Sequence, residues 1–257
     1  MKGIDPNTRV LETDEKASLQ LISSAIGPLW VSRFGEHHNG RELLVDLTLD
    51  HERVAQAANP SYLVKSGDVV IDCGGHVGVF TAVALARGAS KVLTVEPDPT
   101  NLECLRRNFP TEIANGRVVI FPGAVWNKRD VLTFESADQN SGMGSVAVAR
   151  RTGRTFQVEA TTLDELVQRF GLSRVDYIKM DIEGAERFAL EGAQETLRNF
   201  RPTLMLDSYH RPDDMRAFRS ILEPVGFSPQ YVGCRSCDQS PLLTMPRVTF
   251  WQKSLQR

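Results

Sequence analysis

The sequence predicts an α/β protein: a mostly parallel sheet with helices on both faces. Three observations point there. From residue 68 onward, short apolar strand-like runs alternate with helix-like stretches. The spacing between runs suits right-handed βαβ crossovers. A glycine-rich turn and several acidic residues sit where strands end, the place such sheets bind ligands.

Each element has its own local signal. Residues 68–73 (DVVIDC) read as a buried strand, and 77–87 as an apolar helix that Gly88 stops. Residues 91–96 (KVLTVE) form the second strand. Asp98 is an N-cap with Pro99 at the first helical position, and Leu102 and Leu105 share that helix's inner face. Residues 117–121 (RVVIF) form the third strand. Residues 131–160 break the rhythm: three β-like stretches (VLTFES, SVAVA, TFQVEA) surround a Gly/Ser/Asn-rich loop at 140–145. Thr162 and Glu165 make a capping box, followed by Leu163, Leu166, Val167 and Phe170 at helical spacing.

Residues 175–181 (VDYIKMD) are the fourth strand. A single helix is predicted over 185–200, burying Ala185, Phe188, Ala189, Ala193 and Leu197. Residues 202–207 are the fifth strand, 213–225 a helix with Met215, Phe218, Leu222 and Val225 inward, and 226–232 and 247–251 two final strands. The first 20 residues are polar and read as a loose arm. Residues 21–65, with apolar clusters at 29–31 and 43–49, read as short strands or a small cap.

Composition bounds the function. The chain has 257 residues, 41% hydrophobic and 24% charged, as in a soluble globular protein with a real core. A net charge of −2 gives no electrostatic case for nucleic acid or an anionic membrane. Four cysteines do not make a disulfide scaffold, and the pair Cys234 and Cys237 has no second pair nearby to complete a zinc site. Free thiols in a reducing compartment are the expectation. The N-terminus lacks an apolar targeting region, and the longest apolar run, 79–86, is far short of the roughly 20 residues a membrane span needs. A cytoplasmic protein is expected.

The turn after the first strand reads Asp72-Cys73-Gly74-Gly75-His76-Val77-Gly78. Glycines let the backbone turn sharply and approach a ligand, and the helix start behind them favours electronegative groups. Glu96, at the end of the second strand, is placed to accept hydrogen bonds from both hydroxyls of a ribose. Together they indicate a nucleoside-containing cofactor. A dinucleotide fingerprint would need glycine at position 73, where Cys73 stands. Asp72 would repel a pyrophosphate but suits a cationic ligand such as the methionine part of S-adenosylmethionine.

The segment VVIDCGGHVGVFTAVALARGASKVLTVEPDPTNLECLRRN resembles the opening of the FkbM family of S-adenosylmethionine-dependent methyltransferases. TTLDELV and VDYIKMDIEGAERFALEGAQETL resemble that family's second signature, and the 140–145 loop is similar to a family loop. The resemblance spans about residues 68–208. It implies a Rossmann-like class I methyltransferase: a seven-stranded, mostly parallel sheet with an antiparallel C-terminal strand. It also implies O-methylation of a sugar, lipid or secondary-metabolite hydroxyl. Matched residue by residue, Asp72, Gly74 and Gly78 form the cofactor turn, and Glu96 holds the ribose. Pro97 and Asp98 lie beside the adenosine, and Gly123 and Ala124 flank the adenine. Gly75 and His76 replace a more usual Ala-Asn, and Asp207 stands where many members carry Glu. Residues 1–65 are then an N-terminal extension or cap. Residues 66–257 are the methyltransferase domain, with 131–160 as an insertion and a candidate lid.

Lys179, Asp181 and Glu183 alternate at the end of the fourth strand and so share a face. Asp207 ends the fifth strand, with Ser208, Tyr209 and His210 behind it. If those strands are neighbours, Asp181, Asp207 and His210 converge on the pocket mouth. Methyl transfer from a sulfonium is an in-line displacement, for which an enzyme supplies position and a dry site. A hydroxyl acceptor must also lose its proton, so Asp181 or His210 is the candidate base, with Lys179 orienting the acceptor or Asp181. The bland alternative is a Lys179–Glu183 ion pair bracing the helix start at Gly184. A Mg²⁺ ion on Asp181 and Asp207, with Ser208 as a poor third ligand, is a further reading.

His37 and His38 read as a hairpin turn, and Trp126 as an aromatic that stacks on the adenine or packs in the core. Arg150, Arg151 and Arg154 read as a solvated face. The competing functions are a nicotinamide-dependent oxidoreductase and a cofactor-binding module without catalysis. The expected partner is a small-molecule or glycan acceptor, and the oligomeric state is left open.

Overall fold

The computed structural model describes residues 9–32, 55–56, 59–136, 144–146, 154–234 and 246–253. The predictions for 43–49, His37, His38, Arg150, Arg151, Cys237 and most of the 140–145 loop fall outside them.

The central sheet grows from β4 (Val69–Cys73), β5 (Lys91–Val95) and β6 (Val118–Phe121) on one side, and β10 (Tyr177–Met180) and β11 (Thr203–Asp207) on the other. These five strands are parallel. β13 (Pro246–Lys253) pairs antiparallel with β11, and β12 (Phe227–Cys234) pairs antiparallel with β13. The order is β12-β13-β11-β10-β4-β5-β6. Chain progression reverses between β4 and β10, so a crevice opens at their carboxyl ends.

Side-chain alternation sorts the core into two layers. Ile71, Leu93, Ile178 and Leu204 face a layer built with Leu163, Leu166, Ala189, Leu197 and Phe218. Val70, Val92, Tyr177 and Met205 face the opposite layer, with Phe80, Ala84, Leu102 and Leu105. The helices supplying these layers are α1 (Val79–Ala86), α2 (Pro99–Asn108), a short α3 (Pro110–Ala114), α4 (Leu163–Arg169), α5 (Glu186–Glu191), α6 (Gln194–Phe200) and α7 (Asp214–Leu222). Trp251 is fully buried, and its indole N–H donates to Thr249 Oγ1 at 2.9 Å, so its burial leaves no orphan donor.

Two expectations need correction. The helix predicted over 185–200 is two helices, α5 and α6. The Gly192 carbonyl accepts the Asp164 amide at 3.1 Å instead of continuing the helical ladder. The Asp164 carboxylate then accepts the Thr196 amide at 2.7 Å and the Glu195 amide at 3.0 Å, capping α6 from another element. The first 20 residues are not wholly a loose arm either. β1 (Val10–Asp14) pairs antiparallel with β2 (Leu19–Ile22), which pairs with β3 (Leu29–Ser32). β1 escapes hydrophobic patterning because its side chains are mostly exposed; the backbone ladder and an Asp14–Arg107 pair at 2.9 Å hold it.

This small sheet packs Leu19, Ile22, Leu29 and Val31 against Val77, Val79 and Cys104. The 131–160 stretch folds as β8 (Asp130–Ser136) and β9 (Arg154–Thr161), paired antiparallel, with the short β7 (Ala124–Val125) parallel to β9. Residues 144–146 line the crevice, where Ser145 bridges to Glu135.

Candidate active site

The crevice is lined by the cofactor turn, the ends of β5, β10 and β11, and residues 144–146. Its volume is about 1140 Å³ with the open mouth included.

The turn after β4 is shaped by two glycines. Gly74 has φ +79°, and a Cβ there would lie 2.0 Å from the Asp181 carbonyl oxygen. Gly78 caps α1 at φ +95°, and a Cβ there would lie 2.2 Å from the Phe109 ring. Glu96 closes the turn from the far side. Its carboxylate accepts the His76 amide at 2.7 Å, the Asp98 amide at 2.9 Å and the Asn101 amide group at 3.2 Å. Burial pushes its pKa up to about 7 against those hydrogen bonds.

Register places Asp72, Lys179 and Met205 side by side across β4, β10 and β11, so all three share the α1 face. The Lys179 ammonium does not reach for Glu183 or outward. It turns back, donating to the Gly74 carbonyl at 2.8 Å and lying 3.4 Å from Asp72 Oδ1. Burial opposes its charge, but Asp72, then Asp181 and Asp207, more than compensate and raise its pKa. Asp72 also accepts from Thr81 Oγ1 at 2.8 Å and is wholly buried behind the turn.

Asp181 and Asp207 meet at the crevice. Burial, then the charge of Asp181 and a hydrogen bond to it, push the Asp207 pKa well above the carboxylate range. His210 stands behind Asp181. Burial alone would lower its pKa, but Glu186, Asp181 and Glu183 outweigh it and push the pKa up to about 9. His76 goes the other way: burial, then the Lys179 charge, lower it to about 4, so its ring stays neutral.

Of the sequence-predicted residues, Gly74, Gly75, His76, Glu96, Pro97, Gly123, Ala124, Lys179, Asp181 and Asp207 line the crevice. Asp98 does not; it caps α2 through the Thr100 amide at 2.7 Å and takes a hydrogen bond from Ser136. Trp126 does not either. Its amide donates to Thr161 in the β7–β9 ladder at 2.8 Å, and its ring stacks on Phe188 at 4.1 Å. Glu186 was missed. It is fully buried, and its carboxylate accepts the Ile182 amide at 2.8 Å and the Gly184 amide at 3.0 Å. Its position in the EGAE run was the available signal.

Two implied groups can be tested against these residues. S-adenosylmethionine fits: the glycine cradle admits close approach, and Glu96 presents a buried carboxylate to a ribose. Mg²⁺ does not fit. It wants an octahedron of oxygens. Among the described residues, the group of three or more His, Cys, Asp or Glu side chains with donor atoms within 4.8 Å of one another is Asp181, Glu183 and His210, which offers a nitrogen in place of one oxygen and leaves out Asp207. Cys73 and Cys104 are buried free thiols, and burial raises both pKa values, Cys104 to about 12.

A parallel sheet with this reversal, a glycine cradle at β4 and an acidic end to β5 defines a class I methyltransferase. The chain belongs to the FkbM methyltransferase family: the Methyltransferase FkbM domain matches residues 72–229. Similar proteins include Methyltransferase 1 of Beauveria bassiana, 23% identical over 182 residues, 62% of this chain and 72% of that one. Another is the 31-O-demethyl-FK506 methyltransferase FkbM of Streptomyces tacrolimicus, 26% identical over 162 residues, 51% of this chain and 62% of that one. Among solved structures, Methyltransferase FkbM from Methylobacillus flagellatus superposes with a TM-score of 0.51 at 20% identity, covering 73% of this chain and 43% of that longer one. Among the described residues no helix is long and apolar enough to cross a membrane.

Proposed function

We propose that the protein transfers a methyl group from S-adenosylmethionine to a hydroxyl of a small, neutral or cationic acceptor. The carrying observation is the Asp181–Asp207 pair at the crevice. Burial and the neighbouring Asp181 charge raise the Asp207 pKa, and Asp207 is 2% exposed, while the Asp181 side chain is 36% exposed. Asp181 is therefore the carboxylate of the pair that an acceptor hydroxyl reaches. It takes the hydroxyl proton as the oxygen forms its new bond to carbon. His210 is the poorer base, because Glu186, Asp181 and Glu183 push its pKa up to about 9 and favour its protonated form. When bound, S-adenosylmethionine supplies an electrophilic methyl group on a sulfonium. The turn at Gly74, stiffened by Lys179, fixes where that cofactor sits, and residues 144–146 help keep water out.

Asp181 and Glu183 at the mouth disfavour phosphorylated acceptors and nucleic acid. The curated relative that carries O-methyl chemistry in its name supports the hydroxyl reading. The test is transfer of labelled methyl from S-adenosylmethionine to a panel of methyl glycosides, macrolactones, amino alcohols, sugar phosphates and RNA. Label on the oxygen of a non-phosphorylated acceptor is expected. Label on nitrogen or on RNA alone would overturn the proposal.

A further inference from the structure

The loop at 181–184 is held by partners from four directions. It is also strained: Glu183 has φ +55° and Gly184 has φ +94°. Glu186 takes two of its amides, as described. Arg211 Nε donates to the Gly184 carbonyl at 3.0 Å, and Ser145 Oγ donates to the Glu183 carbonyl at 2.9 Å. His210 grips the side chains. Its Nδ1 is 2.9 Å from Glu186 Oε1; its Nε2 is 3.5 Å from Asp181 Oδ1 and 3.7 Å from Glu183 Oε2. The imidazole side chain is 5% exposed.

Both ring nitrogens thus lie within 4 Å of carboxylate oxygens, as charge contacts rather than formed hydrogen bonds. A neutral imidazole offers these three acidic groups no charge, whereas an imidazolium is attracted to all of them. Its cation also offsets three acidic side chains that otherwise repel one another across the loop.

We propose that His210 is a positioning residue: a buried cation, anchored by Glu186, that fixes where the Asp181 carboxylate stands at the crevice. This rests on the reading of Asp181 as the proton acceptor. Asp181 follows directly on β10, its amide held by the Cys73 carbonyl at 3.2 Å, so its backbone is tied to the sheet. Its side chain is not fixed by the sheet, and His210 limits which way it turns. A base displaced by about 1 Å can lose roughly 100-fold in rate, so such a restraint matters to turnover more than to affinity.

The experiment compares full-length wild type, His210→Gln and His210→Lys, with exchange read in the S-adenosylhomocysteine complex and methyl transfer read with S-adenosylmethionine alone. Two readouts are taken: amide exchange at residues 182–184, and methyl transfer to the hydroxyl acceptor found in the panel. For His210→Gln the expected result is at least tenfold faster exchange and at least a tenfold lower kcat. KM for S-adenosylmethionine and the Kd for S-adenosylhomocysteine should stay within about threefold of wild type. His210→Lys, which keeps a cation, should recover much of both losses. Wild-type exchange and kcat in His210→Gln would overturn the inference, as would a kcat loss that Lys does not relieve. If His210→Gln fails to fold, His210→Lys alone decides: near-normal kcat supports a cation, and a tenfold loss with normal cofactor affinity contradicts it. If Asp181→Asn transfers methyl groups at the wild-type rate, the catalytic reading fails instead, and the exchange result identifies which of the two was at fault.

Discussion

Glu96 and His210 show how single side chains acquire their chemistry from their surroundings. Glu96 has a pKa raised to about 7, and its ionised form is the better acceptor for ribose hydroxyls. S-adenosylhomocysteine should therefore bind more weakly as pH falls below about 7, and Glu96→Gln should bind weakly with little pH dependence. Calorimetry across that range checks this; a flat wild-type Kd would contradict it. His210 has the opposite linkage. Its folded pKa, about 9, lies above the roughly 6.5 of a free imidazole, so its stabilising contribution is full below that value and is lost as pH rises through about 9. The stability gap between wild type and His210→Gln in urea should shrink over that interval. Gly74→Ala should lose cofactor binding, because a methyl group cannot share space with the Asp181 carbonyl. The glycine turn and Glu96 were legible because each residue type answers to a local need. The charge state of His210 was not, because it is set by Glu186, Asp181 and Glu183 from other parts of the chain. Trp126 was ambiguous for the same reason: its place depends on Phe188, which no local pattern reveals.

At the scale of elements, the parallel strands were the clearest signal, since burial on both faces makes them continuous apolar runs. Helix boundaries were less clear where another element supplies the cap. The break between α5 and α6 depends on Asp164, thirty-odd residues upstream of Thr196, which satisfies both the Glu195 and Thr196 amides. Asp164→Ala should cost about 1–2 kcal/mol in urea unfolding, as the loss of an N-cap does elsewhere. No change in the midpoint would show that α6 is held by packing alone. β1 lacked an apolar pattern because it is an edge strand, so its pairing was invisible in the sequence. Two hydrogen bonds tie the β8 region to the rest of the fold, Ser136 to Asp98 at the start of α2 and Ser145 to the Glu183 carbonyl beside the crevice.

Across the whole molecule, the small N-terminal sheet supports the cofactor turn from outside. Asn108 is the joint: its side chain bonds the Trp30 amide and carbonyl at 2.7 and 3.0 Å and the Val77 carbonyl at 2.8 Å. Asn108→Ala should destabilise the fold by about 1–3 kcal/mol and weaken S-adenosylhomocysteine binding, because Val77 leads into α1. The family and the class of sheet were legible in two signatures; the acceptor was not, since the crevice combines residues from β10, the segment after β11 and residues 144–146. The most direct test of the account is methyl transfer by Asp181→Asn with cofactor affinity measured on the same sample. A fall of about 100-fold or more in O-methyl transfer, with an S-adenosylhomocysteine Kd within about threefold of wild type, is the expected result. Wild-type turnover by Asp181→Asn would contradict it.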